Sequence, residues 1–189
     1  YGMTRTLLAS EPVFRDAIEA CERAFEPYVE WSLLEQLLAE EDKSQINRVD
    51  IIQPALFAVQ VGLVALWRSW GVEPDAVVGQ SMGEVVAGYI ANALSLDDAA
   101  RVICSRGRIV KSLHDSGQTQ GGMFVVGLSL QKIQFELEGY TDRVFVAGNS
   151  SPSACVISGD SAALEELVAK LQARDVFCRQ VNIDYASHS

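Results

Sequence analysis

The chain has 189 residues, of which 49% are hydrophobic and 21% are charged. This length suits one domain of ordinary size or a domain with a small appendage, and the composition excludes a disordered, collagen-like or low-complexity chain. The formal net charge of −10 argues against a nucleic-acid partner, because the phosphates would be repelled at long range.

The sequence shows no sign of a membrane anchor, a leader or a metal site. The most apolar stretch, residues 51–72, is interrupted by Gln53, Gln60 and Arg68, which predicts a buried core helix and not a membrane span. The N-terminal residues lack the basic-then-apolar layout of a signal peptide. The 4 cysteines form no CxxC pair and there are only 2 histidines, so we expect buried thiols and no zinc centre. The chain is therefore interpreted as a soluble, cytoplasmic protein without a membrane partner.

Helices are predicted to dominate the first part of the chain. In chain order, we predict a helix at 11–25, a short helix at 32–38, a polar break at 40–48, a long helix from Pro54 to about Trp70, and a turn at 73–75. Ser10 is the expected cap of the first helix, with Pro12 in its first turn. Gly71 is expected to end the long helix.

A short apolar strand at 76–79 is then predicted to run directly into a helix at 84–92. Ser95, followed three residues later by Asp98, predicts a capping box and a helix that ends near residue 113. Residues 114–122 are polar and glycine-rich without periodicity, and they are the expected linker.

Strands and helices alternate in the last part of the chain. We predict a strand at 123–128, a helix at 130–140, strands at 144–148 and 154–158, a helix at 161–174 capped by Ser161, and a strand at 176–183. This order, βαββαβ, is the split βαβ pattern of a ferredoxin-like module.

The sequence Gly79-Gln80-Ser81-Met82-Gly83 matches G-x-S-x-G between a predicted strand and a predicted helix, the context of a nucleophile elbow. We expect a turn so tight that neither glycine can carry a side chain. The hydroxyl of Ser81 would then project from the sheet, and the N–H of Met82 would face a developing oxyanion. The alternative is a turn whose glycines serve packing alone.

A serine nucleophile needs a base, and the chain offers only His114 and His188. His114 lies at the start of the predicted linker, where an exposed histidine without function is the default. His188 follows the final predicted strand, and strand ends are where α/β folds gather reactive groups. His188 is the preferred candidate.

Several runs of residues together resemble the acyltransferase domain of modular type I polyketide synthases, which is related to the malonyl transferases of fatty-acid synthesis. These runs are residues 53–58, 78–84, 93–99, 121–123, 149–152, 156–159 and 185–188. They cover essentially the whole chain in the family's order.

The resemblance implies an α/β fold: an α/β-hydrolase-like acyltransferase core, truncated at both ends, with an inserted ferredoxin-like βαββαβ subdomain. Residues 1–121 would be the N-terminal part of the core, residues 122–184 the ferredoxin-like subdomain, and residues 185–189 the return to the core.

The resemblance also implies roles for individual residues. Ser81 would be the nucleophile, His188 its base, and Arg106 the arginine that binds the free carboxylate of an extender unit. A planar guanidinium can bind a carboxylate through two parallel hydrogen bonds. The further residues expected to contact substrate are Gln53, Gln80, Met82, Tyr185 and Ser187. Gln80 is a departure, because the family usually has histidine there.

The implied activity is transfer of an extender unit from coenzyme A, through an acyl-enzyme, to the phosphopantetheine thiol of an acyl carrier protein. Tyr185-Ala186-Ser187-His188 resembles the motif of methylmalonyl-selective domains. No bound cofactor is expected, and a ketosynthase is an expected neighbouring domain. A malonyl-selective transferase, a serine hydrolase and an inactive carrier-docking domain remain as alternatives.

Overall fold

The chain forms two compact units, each with its own hydrophobic core. The structure, a computed structural model, describes residues 2, 4–117, 121–181, 183 and 185–189. The first unit is Tyr1–Ser112 and the second is Leu113–Ser189.

The described part of the first unit is built from helices. They are α1 (Arg5–Ser10), α2 (Pro12–Phe25), α3 (Leu33–Leu38), α4 (Val49–Ser69), α5 (Gly83–Ile90) and α6 (Leu96–Asp115), which extends past the unit's end. Helix α2 packs on α4, and a Cβ at Gly62 would lie 2.7 Å from Cε2 of Phe14. The glycine thus allows the Phe14 ring to lie directly against α4.

Helix α6 comes close to the start of α4 at one point, Gly107. A Cβ at Gly107 would lie 2.9 Å from the Cα of Asp50 and 3.2 Å from the carbonyl oxygen of Val49. Because backbone atoms form this contact, a larger residue at 107 would push the two helices apart. Gly107 therefore helps to determine where α6 holds the residues on either side of it.

Of the two helix caps predicted in the first unit, one is correct and one is wrong. Ser95 caps α6, since its Oγ accepts a hydrogen bond from the N–H of Asp98 at 3.0 Å and donates to Oδ2 of Asp98 at 2.8 Å. Ser10 does not cap α2, because it is the last residue of α1, a helix that the sequence analysis missed. Pro12 does begin α2, after Glu11 at the cap position.

The long helix begins earlier than predicted. Pro54 lies inside α4, which starts at Val49. A proline inside a helix removes one hydrogen bond and costs about 3 kcal/mol. The first turn of α4 contributes Ile51, which is fully buried in the core, and burying such a side chain offsets much of that cost at about 1.5–3 kcal/mol.

Helix α4 is long and apolar enough to cross a membrane by length and composition, the only such helix in the described ranges. Half of its most apolar window is buried within the structure. The core helix of a water-soluble protein passes the same test, so this property is weak evidence for a membrane span.

The strand predicted at 76–79 is absent. These residues form no ladder with any strand among the described residues, and the side chain of Val78 is 96% exposed. A strand needs a hydrogen-bonded neighbour. The strand prediction is therefore wrong for this structure, because the part of the chain that the structure describes offers the apolar run no partner.

The second unit carries a four-stranded antiparallel sheet in the order β2-β3-β1-β4. Its elements are β1 (Gly122–Val126), α7 (Leu130–Glu136), the 3-10 turn Leu137–Tyr140, β2 (Val144–Ser151), β3 (Ala154–Gly159), α8 (Ser161–Gln172) and β4 (Cys178–Gln180). Phe124 in β1 pairs with Ile157 on one side and with Gln180 on the other. The βαββαβ order of elements predicted from the sequence is the one observed.

Local details of this unit differ from the prediction. Asp160 caps α8 in place of Ser161, since its Oδ1 accepts a hydrogen bond from the N–H of Ala163 at 2.9 Å. Strand β2 continues to Ser151, and β4 is only three residues long. Helix α6 takes the first two residues of the predicted linker, and 118–120 lie outside the described residues.

Candidate active site

The G-x-S-x-G sequence forms a sharp turn immediately before α5. Ser81 has φ of +55°, in the left-handed region, which non-glycine residues seldom adopt and which is common at functional sites. The N–H of Gly83 donates to the carbonyl of Gln80 at 2.9 Å, and the N–H of Glu84 donates to that of Ser81 at 3.0 Å. This backbone geometry agrees with a nucleophile elbow.

The two glycines of the motif are not equivalent. A Cβ at Gly79 would collide with the backbone of Gly83 and Glu84, whereas a Cβ at Gly83 would meet no described atom within 4 Å. The prediction that both positions must lack a side chain is therefore correct for Gly79, while nothing among the described residues requires it at Gly83. The tightness of the turn comes from the approach of residue 79 to the start of α5.

A matched pair of substitutions tests this asymmetry. Gly79→Ala is expected to lower the free energy of unfolding by about 2 kcal/mol or more, because the new Cβ collides with rigid backbone. Gly83→Ala is expected to change it by less than about 1 kcal/mol. Urea unfolding of both variants measures the difference, and equal losses would contradict the geometry described for the turn.

The backbone N–H of Met82 is available at the elbow. Among the described residues it donates no hydrogen bond, while the N–H groups of the next two residues are used in the turn. Met82 occupies the cap position of α5, where the helix dipole is positive. This donor is therefore suited to stabilise an oxyanion formed on a group attached to Ser81.

Arg106 reaches the serine directly. Its Nη2 donates a hydrogen bond to Oγ of Ser81 at 3.2 Å, and its side chain is half-buried. Arg108, two residues further along α6, is exposed. The structure thus brings together Ser81 and Arg106, two of the residues selected from the sequence, and places a cation beside the hydroxyl.

An open apolar groove of about 720 Å³ lies along one flank of the elbow. The side chains that line it include Leu63, Trp67, Val77, Val78 and Met82. Trp67 is 53% exposed, a large fraction for an apolar side chain of this size. The groove belongs to the first unit alone.

The remaining candidates of the first unit have different environments. Gln53 is buried in α4, Gln80 is exposed at the turn, and the side chain of Met82 packs against the first core. Their predicted contacts with substrate stay predictions. Gly107 was missed, although a lone glycine inside a helical pattern between two arginines was a signal of a close packing contact.

Tyr185, Ser187 and His188 lie in a short irregular segment of the second unit. The N–H of Ser187 donates to the carbonyl of Tyr185 at 3.1 Å, and Oγ of Ser189 donates to the carbonyl of Ala186 at 2.9 Å. His188 is exposed and has φ of +62°, while Tyr185 and Ser187 are half-buried. The pairing of His188 with Ser81 stays a prediction.

The cysteines agree with the prediction of buried thiols. Cys21, Cys104 and Cys155 are buried and free, and Cys178 is half-buried. Burial raises the pKa of Cys21 and of Cys104 to about 12, so both are protonated near neutral pH. No group of three metal-ligating side chains occurs within the described ranges.

Comparison with known proteins identifies the family. The acyl transferase domain family matches residues 1–189. The chain is 45% identical over 188 residues to polyketide synthase GfsB of Streptomyces halstedii, and 43% identical over 189 residues to erythronolide synthase EryA3 of Saccharopolyspora erythraea. It spans 3% and 6% of the length of these relatives.

A solved structure gives the same result. The acyltransferase domain from module 8 of the salinomycin polyketide synthase matches the whole chain with a TM-score of 0.91 and 40% sequence identity, and the chain covers 44% of it. The family match, the relatives and this mixed α/β structure agree with one another. The chain therefore belongs to the acyltransferase domain family that occurs in modular polyketide synthases.

Proposed function

We propose that this chain carries the nucleophile, the base and the carboxylate-binding arginine of an acyltransferase that loads a methylmalonyl extender unit onto an acyl carrier protein. The observation that carries the proposal is the 3.2 Å hydrogen bond from Arg106 to Ser81 Oγ. It places a guanidinium within reach of any acyl group attached to that oxygen.

The proposed reaction has two half-reactions on Ser81. In the first, Ser81 Oγ attacks the thioester carbonyl of acyl-coenzyme A while His188 accepts the hydroxyl proton. The N–H of Met82 stabilises the oxyanion. The carbon–sulfur bond then breaks, and coenzyme A leaves as a thiol with the proton from His188.

The second half-reaction transfers the acyl group to the carrier protein. The phosphopantetheine thiol gives its proton to His188 and attacks the ester carbonyl. The bond between Ser81 Oγ and the acyl carbon breaks, and the proton returns to Oγ. No cofactor takes part in either half-reaction.

Arg106 supports a substrate with a free carboxylate. In a malonyl-type ester on Ser81, one carbon separates the ester carbonyl from the carboxylate, so the carboxylate lies within a few bonds of Oγ. A guanidinium that already contacts Oγ can bind it through two parallel hydrogen bonds. A hydrolase of neutral esters gains nothing from this cation, and the arginine therefore favours a transferase of dicarboxylic units over the serine hydrolase alternative.

The structural setting of the reaction is also part of the proposal. Residues 1–121 are proposed to form the N-terminal part of an α/β-hydrolase-like core, residues 122–184 an inserted ferredoxin-like subdomain, and residues 185–189 the return to the core. The relatives are polyketide synthases. An acyl carrier protein and a ketosynthase are accordingly the proposed partners, and the cytoplasm is the proposed location.

Selection of methylmalonyl is proposed to depend on Ser187, whose small side chain precedes the base and leaves room for a branched C2 carbon. In the full-length protein, equal concentrations of methylmalonyl- and malonyl-coenzyme A are offered, and the adduct on Ser81 is weighed. We expect mainly the methylmalonyl adduct, because one methyl group is worth about 1–3 kcal/mol of discrimination. The Ser187→Phe variant is expected to reverse the preference.

The outcomes test separately which substrate is preferred and whether Ser187 is the reason. A malonyl preference in the unmodified protein would refute the methylmalonyl assignment. An unchanged methylmalonyl preference in Ser187→Phe would keep the substrate and remove the steric account. An adduct that water releases before any thiol acceptor is added would favour the serine hydrolase.

A further inference from the structure

The segment that carries His188, residues 185–189, packs closely against the start of β1. Gly121 immediately precedes β1, and a Cβ at this position would lie 2.7 Å from the Cβ of Ala186 and 3.0 Å from its backbone nitrogen. The same Cβ would lie 2.8 Å from the carbonyl oxygen of Gly159, at the end of β3. All of these residues belong to the second unit.

Two of these three neighbours are backbone atoms, so a side chain at 121 cannot be accommodated by a change of rotamer. Gly159 is also held in place, because it lies so close to Arg143 and Val144 that a Cβ at 159 would collide with their backbone. Ala186 is the neighbour that can move, because residues 185–189 form no regular helix or strand.

If Ala186 moved, the backbone of His188, two residues later, would move with it. The carbonyl of Ala186 accepts the hydrogen bond from Ser189 at 2.9 Å, so a short loop closes around the histidine. His188 also holds a left-handed backbone, with φ of +62°. The orientation of its imidazole therefore depends on where residue 186 rests.

We propose that Gly121 is a positioning residue for His188: its missing side chain lets Ala186 lie directly beside residue 121 and so holds the base in its working orientation. This inference relies on the role of His188 proposed above. Gly121 touches neither substrate nor the reacting atoms in this account, and it acts only through the 185–189 segment.

The first test compares two adjacent glycines in the full-length protein. Gly121→Ala is expected to lower the rate constant of Ser81 acylation by about 10–10²-fold at saturating methylmalonyl-coenzyme A, with KM nearly unchanged, because a base displaced by an ångström loses its alignment. Gly122→Ala is the matched control. Among the described atoms its Cβ would have only Leu164 Cδ1 nearby, at 3.7 Å, an ordinary contact. We expect a change of less than about 2-fold there.

A double-mutant cycle with His188→Ala separates positioning from general damage. The His188→Ala change alone is expected to slow acylation by about 10²–10⁴-fold. In that background Gly121→Ala should have no further effect, since there is no imidazole left to displace. Ala186→Gly combined with Gly121→Ala removes the 2.7 Å contact and should recover part of the rate.

Each contrary result has a distinct reading. Full activity of Gly121→Ala, or an equal loss in both His188 backgrounds, would overturn the positioning role while leaving the proposed function intact. Full activity of His188→Ala would instead refute the base assignment, and the positioning role with it. A lowered melting temperature in Gly121→Ala with normal kcat would make the glycine structural only.

Discussion

Replacing Ser81 by alanine is expected to abolish the covalent acyl adduct. Ser81 is the residue held in a left-handed backbone at the turn before α5, with Arg106 on its hydroxyl. No thiol can substitute for it near neutral pH in the first unit, because burial raises the pKa of Cys21 and Cys104 to about 12. Intact-mass measurement after incubation with methylmalonyl-coenzyme A gives the adduct's occupancy.

The matched control for this experiment is Ser10→Ala. Ser10 is exposed at the end of α1, and within the described part of the chain its Oγ donates only to the carbonyl of Thr6, at 3.0 Å. Its removal should leave the adduct unchanged. An adduct of undiminished occupancy in Ser81→Ala would show that another residue is the nucleophile.

Replacing Arg106 by alanine is expected to slow acylation by methylmalonyl- and malonyl-coenzyme A by about 10²–10³-fold while sparing acetyl-coenzyme A. The reason is that a carboxylate left without its partner in a partly dry site loses a few kcal/mol, and 1.36 kcal/mol corresponds to about a factor of ten. Measuring kcat/KM for the three thioesters tests this difference.

Arg108→Ala is a closely matched control, since it removes an exposed guanidinium two residues away on the same helix. We expect it to affect no substrate by more than about 2-fold. If Arg106→Ala reduced the three rates equally, the arginine would have to act on the serine or on the fold, and its role in substrate choice would be wrong.

Periodicity in the sequence was sufficient to predict most of the helices and strands. It failed where tertiary contacts determine where an element starts or whether it forms. The helical pattern of α2 and the alternation in the second unit were strong local signals. The sequence predicts that α4 starts at Pro54, because proline normally occurs in the first turn of a helix. The helix instead begins five residues earlier, at Val49, and its first turn buries Ile51. The apolar run at 76–79 has strand character, but pairing depends on a neighbour that no local pattern reveals.

The candidate site shows the same division. Ser81 was identified by its motif, and Arg106 by resemblance, before their contact was known. The contact itself joins the turn before α5 to a residue of α6, and such a tertiary contact has no periodic signature. The tight fit of Gly121 against Ala186 joins positions 65 residues apart in the chain, since 186 − 121 = 65. Single-sequence reasoning has no access to such pairs.

Because Ser81 has a left-handed backbone, selection for stability and selection for catalysis favour different residues at position 81. A non-glycine residue in this conformation costs about 1–2 kcal/mol, and glycine would remove most of that cost. A lineage selected for thermal stability alone would therefore be drawn toward glycine at residue 81 and would lose its hydroxyl. Persistence of serine there under mutational drift would be a historical record of continued selection for the chemistry.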